Sequence, residues 1–205
     1  MKKIFLALLL TGAAVAALPA VLPAETGPRA EVQSTVDAIM ALLQNGDISA
    51  EKRKEEISAM VRGRFDFRTM SQGVLATNWK KASPDEKERF TELFSRLLET
   101  TYRERIDAYN NERVEYLNEK IKGKKATVDT LVVTTDVEIP VQYKMLNKGD
   151  GWLAYDVVVE GVSLVRNYRD SYRDIVKKEG MDGLLARMEE KIEELKTAPP
   201  GGNSQ

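Results

Sequence analysis

Any chemistry performed by this chain has to use groups other than imidazoles and thiols, because its 205 residues include no histidine and no cysteine. This absence removes the usual thiol nucleophile, the usual general base and the side chains that form ordinary zinc sites. Ser71, Ser83 and Ser163 have no histidine partner with which to form a catalytic triad. We therefore expect no enzyme activity, no metal site and no cofactor.

Carboxylates are the remaining candidates for acid–base catalysis. Asp85, Glu86 and Glu88 fall in the first turn of a predicted helix, where acidic side chains interact favourably with the helix dipole. Asp136 and Glu138 are two residues apart in a predicted strand, on the face opposite its apolar residues. Because glycosidase chemistry needs two carboxylates across a cleft, a solvated surface explains both groups better.

Residues 149–154 (GDGWLA) match the spacing of a dinucleotide-binding fingerprint. That fingerprint follows a strand and opens a helix, whereas this segment lies between two predicted strands. Its glycines instead predict a hairpin loop. No lysine motif of the Walker type occurs in the chain, so hydrolysis of ATP by that route is excluded.

Arg166, Arg169 and Arg173 share one side of a predicted helix, since they are spaced by three and four residues. They could form a solvated face paired with Asp170 and Asp174, or they could contact a lipid headgroup or a partner protein. The sequence leaves both alternatives open.

The elements that position these groups follow from the hydrophobic spacing. Helical periodicity predicts helices over 28–44, from Ser49, after Asp66, from Ser83 to about Tyr109, and over 163–179 and 181–196. Ser83-Pro84-Asp85-Glu86 is a capping box. From Arg113 the period changes to two, which predicts strands at about 113–121, 125–138, 139–147 and 152–160. Short connections favour an antiparallel sheet, so the fold class is α+β.

The two termini have compositions of their own. Residues 1–24 are typical of a secretory signal peptide, with Lys2 and Lys3 before an apolar stretch and possible cleavage after Ala16, Ala20 or Ala24. An uncleaved anchor is the alternative. Residues 25–196 are predicted to form one domain, and residues 197–205 a disordered tail. The formal net charge of −1 gives no reason to expect nucleic acid binding.

Two blocks of sequence and a C-terminal set of glycines and leucines resemble the MlaC family, also called toluene-tolerance auxiliary proteins. The blocks are residues 64–71 (RFDFRTMS) with 78–84 (NWKKASP), and residues 155–157 (YDV) with 160–169 (EGVSLVRNYR), joined by Gly180, Gly183, Leu184 and Leu185. The likeness covers roughly residues 30–193. One departure is Ala76, where a glycine is frequent in the family.

The resemblance implies a periplasmic carrier that passes phospholipid between an outer-membrane lipoprotein/porin complex and an inner-membrane ABC transporter, and so maintains outer-membrane lipid asymmetry. The implied fold is a twisted antiparallel sheet of about four strands wrapped by helices, NTF2-like in outline. The implied ligand is the acyl chains of a phospholipid, held between sheet and helices.

Strand alternation and helix faces then predict the residues that contact lipid. They are Val74, Leu75, Trp79, Phe94, Leu98, Leu131, Val133, Val137, Ile139, Val141, Tyr143, Tyr155, Val157, Val159, Val162, Val165 and Tyr168. The same apolar groups could instead form a solid core or the groove of a periplasmic chaperone or adaptor, and an NTF2-like scaffold could also host a hydrolase. A chaperone would co-purify with peptides, and a hydrolase would need an acid–base pair inside a cavity.

Overall fold

A computed structural model of the chain describes residues 27–107 and 112–197, and for 102–107 it describes the backbone alone. The helices in these ranges are α1 (Pro28–Gln44), α2 (Ala50–Arg64), α3 (Phe67–Leu75), α4 (Thr77–Lys81), α5 (Pro84–Asp107) and α6 (Leu164–Thr197). The strands are β1 (Arg113–Lys122), β2 (Lys125–Val133), β3 (Glu138–Asn147), β4 (Trp152–Val159) and β5 (Val162–Ser163). The predicted signal peptide, the predicted helix end near Tyr109 and the tail beyond Thr197 lie outside the described residues. Within them, no helix combines the length and the apolarity that a membrane span requires.

Two helices begin at the caps that the sequence predicts. The Ser83 hydroxyl accepts the Glu86 N–H at 3.1 Å, and the Glu86 carboxylate accepts the Ser83 N–H at 2.6 Å, which completes the capping box. The Ser49 hydroxyl accepts the Lys52 N–H at 3.2 Å at the start of α2. These local bonds satisfy N–H groups that a helix end would otherwise leave without partners.

The strands form one antiparallel sheet in the order β1-β2-β3-β4-β5. This arrangement confirms the α+β class, and it corrects the count of about four strands to five. The additional strand, β5, has only two residues, which pair Val162 with Val159 and Ser163 with Val158. A segment of that length has no period to detect in the sequence.

The predicted strand over 125–138 is wrong at its end, because β2 stops at Val133 and a turn follows. The Thr134 hydroxyl accepts the N–H groups of Asp136 and Val137, and the Thr134 N–H donates to the Val137 carbonyl at 3.0 Å. A threonine that bonds nearby backbone competes with strand pairing. Residues 134–137, which continue the alternating pattern of the sequence, therefore lie in a turn and not in a strand.

The strand register gives the sheet two different faces. Directly opposed residues share a face, so Val128 lies beside Tyr143, and Ala126 lies beside Met145. Ala126, Val128 and Met145 are buried against Val32 of α1. We call this helix-covered side the inner face and the opposite side the outer face.

The turn also reverses which positions point inwards. It pairs Val133 with Glu138, so odd-numbered residues of β2 oppose even-numbered residues of β3. The inner face of β2 therefore consists of Ala126, Val128 and Thr130, which are buried. Leu131 and Val133, predicted to line a cavity together with odd residues of β3, lie on the outer face instead.

A bulge in β4 removes Tyr155 from the predicted inner line. Met145 pairs with Ala154 and Lys144 pairs with Asp156, which leaves Tyr155 without an opposed residue. The Lys125 Nζ lies 5.9 Å from the centre of the Tyr155 ring. Because Lys125 precedes inward-facing Ala126, this contact places Tyr155 on the outer face.

A second core packs α3, α5 and α6 together. Phe90 and Phe94 of α5 are fully buried, and α6 presents its tyrosines to them edge-on. The centres of the Phe94 and Tyr168 rings are 5.1 Å apart at an interplanar angle of 84°, a geometry that aromatic pairs favour. Gly180 (φ +74°) interrupts α6, as predicted, so that Leu184 beyond it also enters this core.

The contact of α6 with α3 depends on Gly73. A Cβ on Gly73 would lie 2.8 Å from Val165 Cγ1, and the Arg169 Nε donates to the Gly73 carbonyl at 2.7 Å. Arg169 therefore joins two helices, a role outside both predicted alternatives. Arg173 is exposed and pairs with Asp170 at 3.3 Å, as expected for a solvated face.

Two buried carboxylates connect the sheet to the helices. Asp156, 4% exposed, accepts bonds from Lys144 Nζ at 2.8 Å, from the Ser163 hydroxyl at 2.7 Å and from the Val165 N–H at 3.1 Å. Asp66 caps α3 and pairs with Lys148 Nζ at 2.8 Å. Burial opposes the ionisation of Asp66, but hydrogen bonds from Lys148 and from Thr69 at the start of α3 outweigh it and lower the pKa of its carboxyl.

Ala76, between α3 and α4, has φ +50° and ψ −116°. A β-carbon makes this backbone conformation unfavourable, whereas glycine adopts it readily. An alanine at this position, where a glycine is frequent in the family, therefore strains the connection between α3 and α4.

Replacing Asp156 with alanine should lower the free energy of unfolding by about 3 kcal/mol, because buried donors lose their shared acceptor. Chemical denaturation monitored by circular dichroism measures the loss. Asp174→Ala is the matched control, since Asp174 is 71% exposed and about 0.5 kcal/mol or less is expected there. Equal losses in the two variants would contradict the anchoring role of Asp156.

Ala76→Gly should raise the free energy of unfolding by about 1 kcal/mol, because relief of backbone strain exceeds the added chain entropy. The control is Ala59→Gly, at an exposed interior position of α2, which should lower it by about 1 kcal/mol. Thermal and chemical denaturation of both variants test the difference in sign. A loss at both positions would show that Ala76 is unstrained.

Candidate functional site

A cavity of about 380 Å³ lies between the inner face of the sheet and the helices that cover it. This volume is within the range of pockets that bind small molecules, about 300–1,000 Å³. The lining is mainly apolar and comes from four helices, two strands and the start of α6. The apolar residues are Val32, Val36, Ile39, Ile57, Val61, Phe65, Phe67, Met70, Leu98, Val141, Tyr143, Met145, Trp152, Ala154, Val157, Val159 and Leu164.

Five of the predicted lipid-contact residues line this cavity. Val141 and Tyr143 face it from β3, Val157 and Val159 face it from β4, and Leu98 closes it from α5. The register explains the agreement on the sheet side, because Tyr143 pairs with Val157 and Val141 pairs with Val159. The structure thus brings together the residues that alternation assigns to the centre of the sheet.

A second group of predicted residues lies in the other core. The broad apolar stripe of α5 faces two ways: Leu98 reaches the cavity, whereas Phe94 packs against α6. A single sequence shows the width of such a stripe but not how neighbouring elements divide it. The predicted residues that pack among α3, α4, α5 and α6, and do not line the cavity, are Val74, Leu75, Trp79, Phe94, Val165 and Tyr168.

The remaining predicted residues lie at the sheet surface or at its ends. Val137 in the turn and Val162 in β5 are 55% and 60% exposed, so neither faces the cavity. Ile139 pairs with Val132 near the end of the inner face, outside the cavity lining. Leu131, Val133 and Tyr155 are the outer-face residues described above.

The sequence reasoning missed the cavity residues supplied by α1 and α2. Val36 and Ile39 contribute from α1, and Ile57 and Val61 contribute from α2. Helical spacing identifies these side chains as inward-facing. It does not say which part of the sheet their helices cover, because that depends on contacts between residues far apart in sequence.

We call the strand residues of the lining the floor of the cavity and its charged helix residues the rim. The floor and the rim differ in charge. The strands contribute no charged side chain to the lining; its charged residues are Lys54, Arg62 and Arg64 at α2 and Glu99 of α5. Arg62 is 54% exposed and Arg64 42% exposed, which places these two charges where the cavity meets solvent. A charged group inside the floor would carry a large desolvation cost.

The cavity floor offers little for catalysis. Burial raises the pKa of the Tyr143 hydroxyl, so this group is neutral at physiological pH. Among the lining residues the one carboxylate is Glu99, which contacts Arg62. In the described parts of the chain, no three acidic side chains are grouped so as to hold a metal ion. The arrangement suits an apolar guest held by shape and by exclusion of water.

Solved structures and sequence relatives give independent comparisons. The fold is similar to that of a phospholipid-binding protein from Ralstonia solanacearum, solved in complex with a phospholipid, with a TM-score of 0.77 and 21% identity over 84% of this chain and 100% of that one. The intermembrane phospholipid transport system binding protein MlaC of Haemophilus influenzae is 23% identical over 82% of this chain and 83% of its own length.

A further relative is the toluene tolerance protein ttg2D of Pseudomonas putida, which is 27% identical over 82% of this chain and 81% of its own length. The model of the MlaC protein family matches residues 33–190. This match covers most of the chain and includes both sequence blocks on which the resemblance rests. The chain therefore belongs to the MlaC protein family.

Proposed function

We propose that this chain is a phospholipid-binding carrier, and that acyl chains occupy the cavity beneath the inner face of the sheet. The observation behind the proposal is the division of the cavity into an apolar floor and a charged rim. A phospholipid has the same division between its acyl chains and its headgroup. The names of two relatives, one a phospholipid transport system binding protein and one a toluene tolerance protein, support the same function.

The energetics explain why such a protein needs a cavity and no energy source of its own. Each CH₂ group removed from water contributes ~0.8 kcal/mol, so an acyl chain of about 16 carbons would cost on the order of 12 kcal/mol to expose. If the cavity floor is as apolar as a bilayer, the acyl chain has nearly the same free energy in the cavity as in the membrane, and this cost is avoided. The carrier then binds and releases lipid without catalysing a reaction.

We also propose that the protein acts in the periplasm, between one complex in each membrane. The predicted signal peptide at residues 1–24 supports export to the periplasm. An outer-membrane lipoprotein/porin complex would exchange lipid with the protein on one side, and an inner-membrane ABC transporter on the other. The name of the Haemophilus influenzae relative, which places that protein in an intermembrane transport system, supports this arrangement.

Native mass spectrometry of protein purified from its periplasm should show a bound mass that organic extraction identifies as phospholipid. We expect bound lipid because, without it, the apolar lining of the cavity would be in contact with water, which is unfavourable. Recovery of protein free of lipid would contradict the carrier function. Recovery of bound peptides would instead support the chaperone alternative.

Val157→Trp should abolish most of the lipid signal, because an indole ring at this position fills the floor of the cavity. The matched control is Val133→Trp, on the outer face of β2 and away from the cavity lining. Both variants are compared by lipid extraction and by thermal denaturation. If the two fold and retain equal amounts of lipid, the cavity assignment is wrong.

A further inference from the structure

The hairpin that joins β1 to β2 ends in a short basic segment, residues 120–125 (KIKGKK), which we call the basic tip. Its lysines are Lys120, Lys122, Lys124 and Lys125. Gly123 makes the turn with φ +60°, and a β-carbon there would meet nothing within 4 Å. All residues from 117 to 125 are exposed. The side chains of the tip are therefore available to a partner.

The positive charge of the basic tip is not neutralised within the described parts of the chain. None of its four lysines forms an ion pair with another described residue, and Lys125 Nζ instead lies 5.9 Å from the centre of the Tyr155 ring. Two carboxylates lie in the adjoining segments: Glu119, which accepts the Arg29 N–H at 3.0 Å, and Asp150 of the loop between β3 and β4. Four lysines against these two acids leave an excess of positive charge.

The arrangement of these lysines opposes the stability of the hairpin. Lys122 and Lys125 are directly opposed in the pairing of β1 with β2, and like charges in that position destabilise a sheet. Lysines on an edge strand prevent it from pairing with other chains, which accounts for Lys120 and Lys122 of β1. That explanation does not apply to Lys124 in the turn or to Lys125 of β2, a strand that is paired on both sides. The cluster is therefore better explained by a partner than by the fold.

An aliphatic side chain lies in the middle of this charge. Ile121, between Lys120 and Lys122, is 54% exposed although it opposes Ala126, which is buried. Lysines around an apolar side chain suit the boundary of a bilayer, where ammonium groups contact anionic headgroups and the aliphatic group enters the acyl layer. A nucleic acid would attract the same lysines but would offer Ile121 no apolar contact. The combination favours a lipid surface.

We propose that the basic tip binds the surface of an anionic bilayer, with its lysines at the headgroups and Ile121 at the acyl boundary. No residue of the tip lines the cavity, so this surface is separate from the proposed lipid site and acts whether or not the cavity is filled. Each lysine held near an anionic bilayer strengthens binding roughly fivefold. The tip would therefore hold the protein reversibly at such a membrane.

Co-sedimentation with vesicles tests the proposal. Purified protein is mixed with vesicles of phosphatidylcholine alone, or of phosphatidylcholine with phosphatidylglycerol, over a range of salt concentrations. The protein should sediment with the anionic vesicles only, and less of it should do so as salt screens the charges. The triple variant Lys120→Gln/Lys122→Gln/Lys124→Gln should weaken binding to anionic vesicles by about tenfold or more.

The matched control is Lys80→Gln/Lys177→Gln/Lys178→Gln, which removes the same charge from exposed positions of α4 and α6. It should bind as the wild type does, and denaturation curves check that both triple variants fold. Equal losses in the two variants would overturn the basic tip as the site, because binding would then follow net charge alone. Wild-type protein that does not sediment with anionic vesicles would overturn the proposal, whereas lipid found in its cavity by native mass spectrometry would leave the carrier function standing.

Ile121→Ser tests the apolar part of the contact. This change should weaken binding to anionic vesicles about fivefold, since the aliphatic side chain no longer leaves water on binding. Val137→Ser is the control, because Val137 is similarly exposed, at 55%, but lies in the turn at the opposite end of β2. Equal affinities of the two variants for anionic vesicles would overturn the placement of Ile121 in the bilayer.

Discussion

The apolar inner face of the sheet is the constraint on which this structure depends. Ala126 and Val128 must be kept from water, and Val32 and Val36 of α1 cover them. Further along the same face, beside Tyr143 and Val157, the helices stand off and leave a cavity. The same apolar surface thus packs against a helix at one end and lines a cavity at the other.

A separate core makes this open arrangement possible. The packing of α3, α5 and α6 around Phe90 and Phe94 fills its space with aromatic and aliphatic side chains. Asp156 connects this core to the sheet through bonds to Lys144, Ser163 and the start of α6. The walls of the cavity can therefore be held in place without side chains that fill it.

The sequence predicted those features that depend on neighbouring residues. The capping box at Ser83 and the break at Gly180 each require only a few adjacent positions, and both are present. The cavity wall depended on the turn at Thr134 and on the bulge at Tyr155, which change the register between strands. Alternation alone therefore placed Leu131 on the wrong face. The division of α5 between two cores likewise follows from tertiary contacts that no local pattern records.

We propose that acyl chains lie against the inner face of β3 and β4. A phospholipid with a photoreactive diazirine on its acyl chain tests this claim, because irradiation attaches the probe to the residues it touches. Peptide mapping should locate the adducts near Tyr143, Val157 and Leu98. Adducts confined to outer-face residues such as Leu131 and Tyr155 would contradict the account.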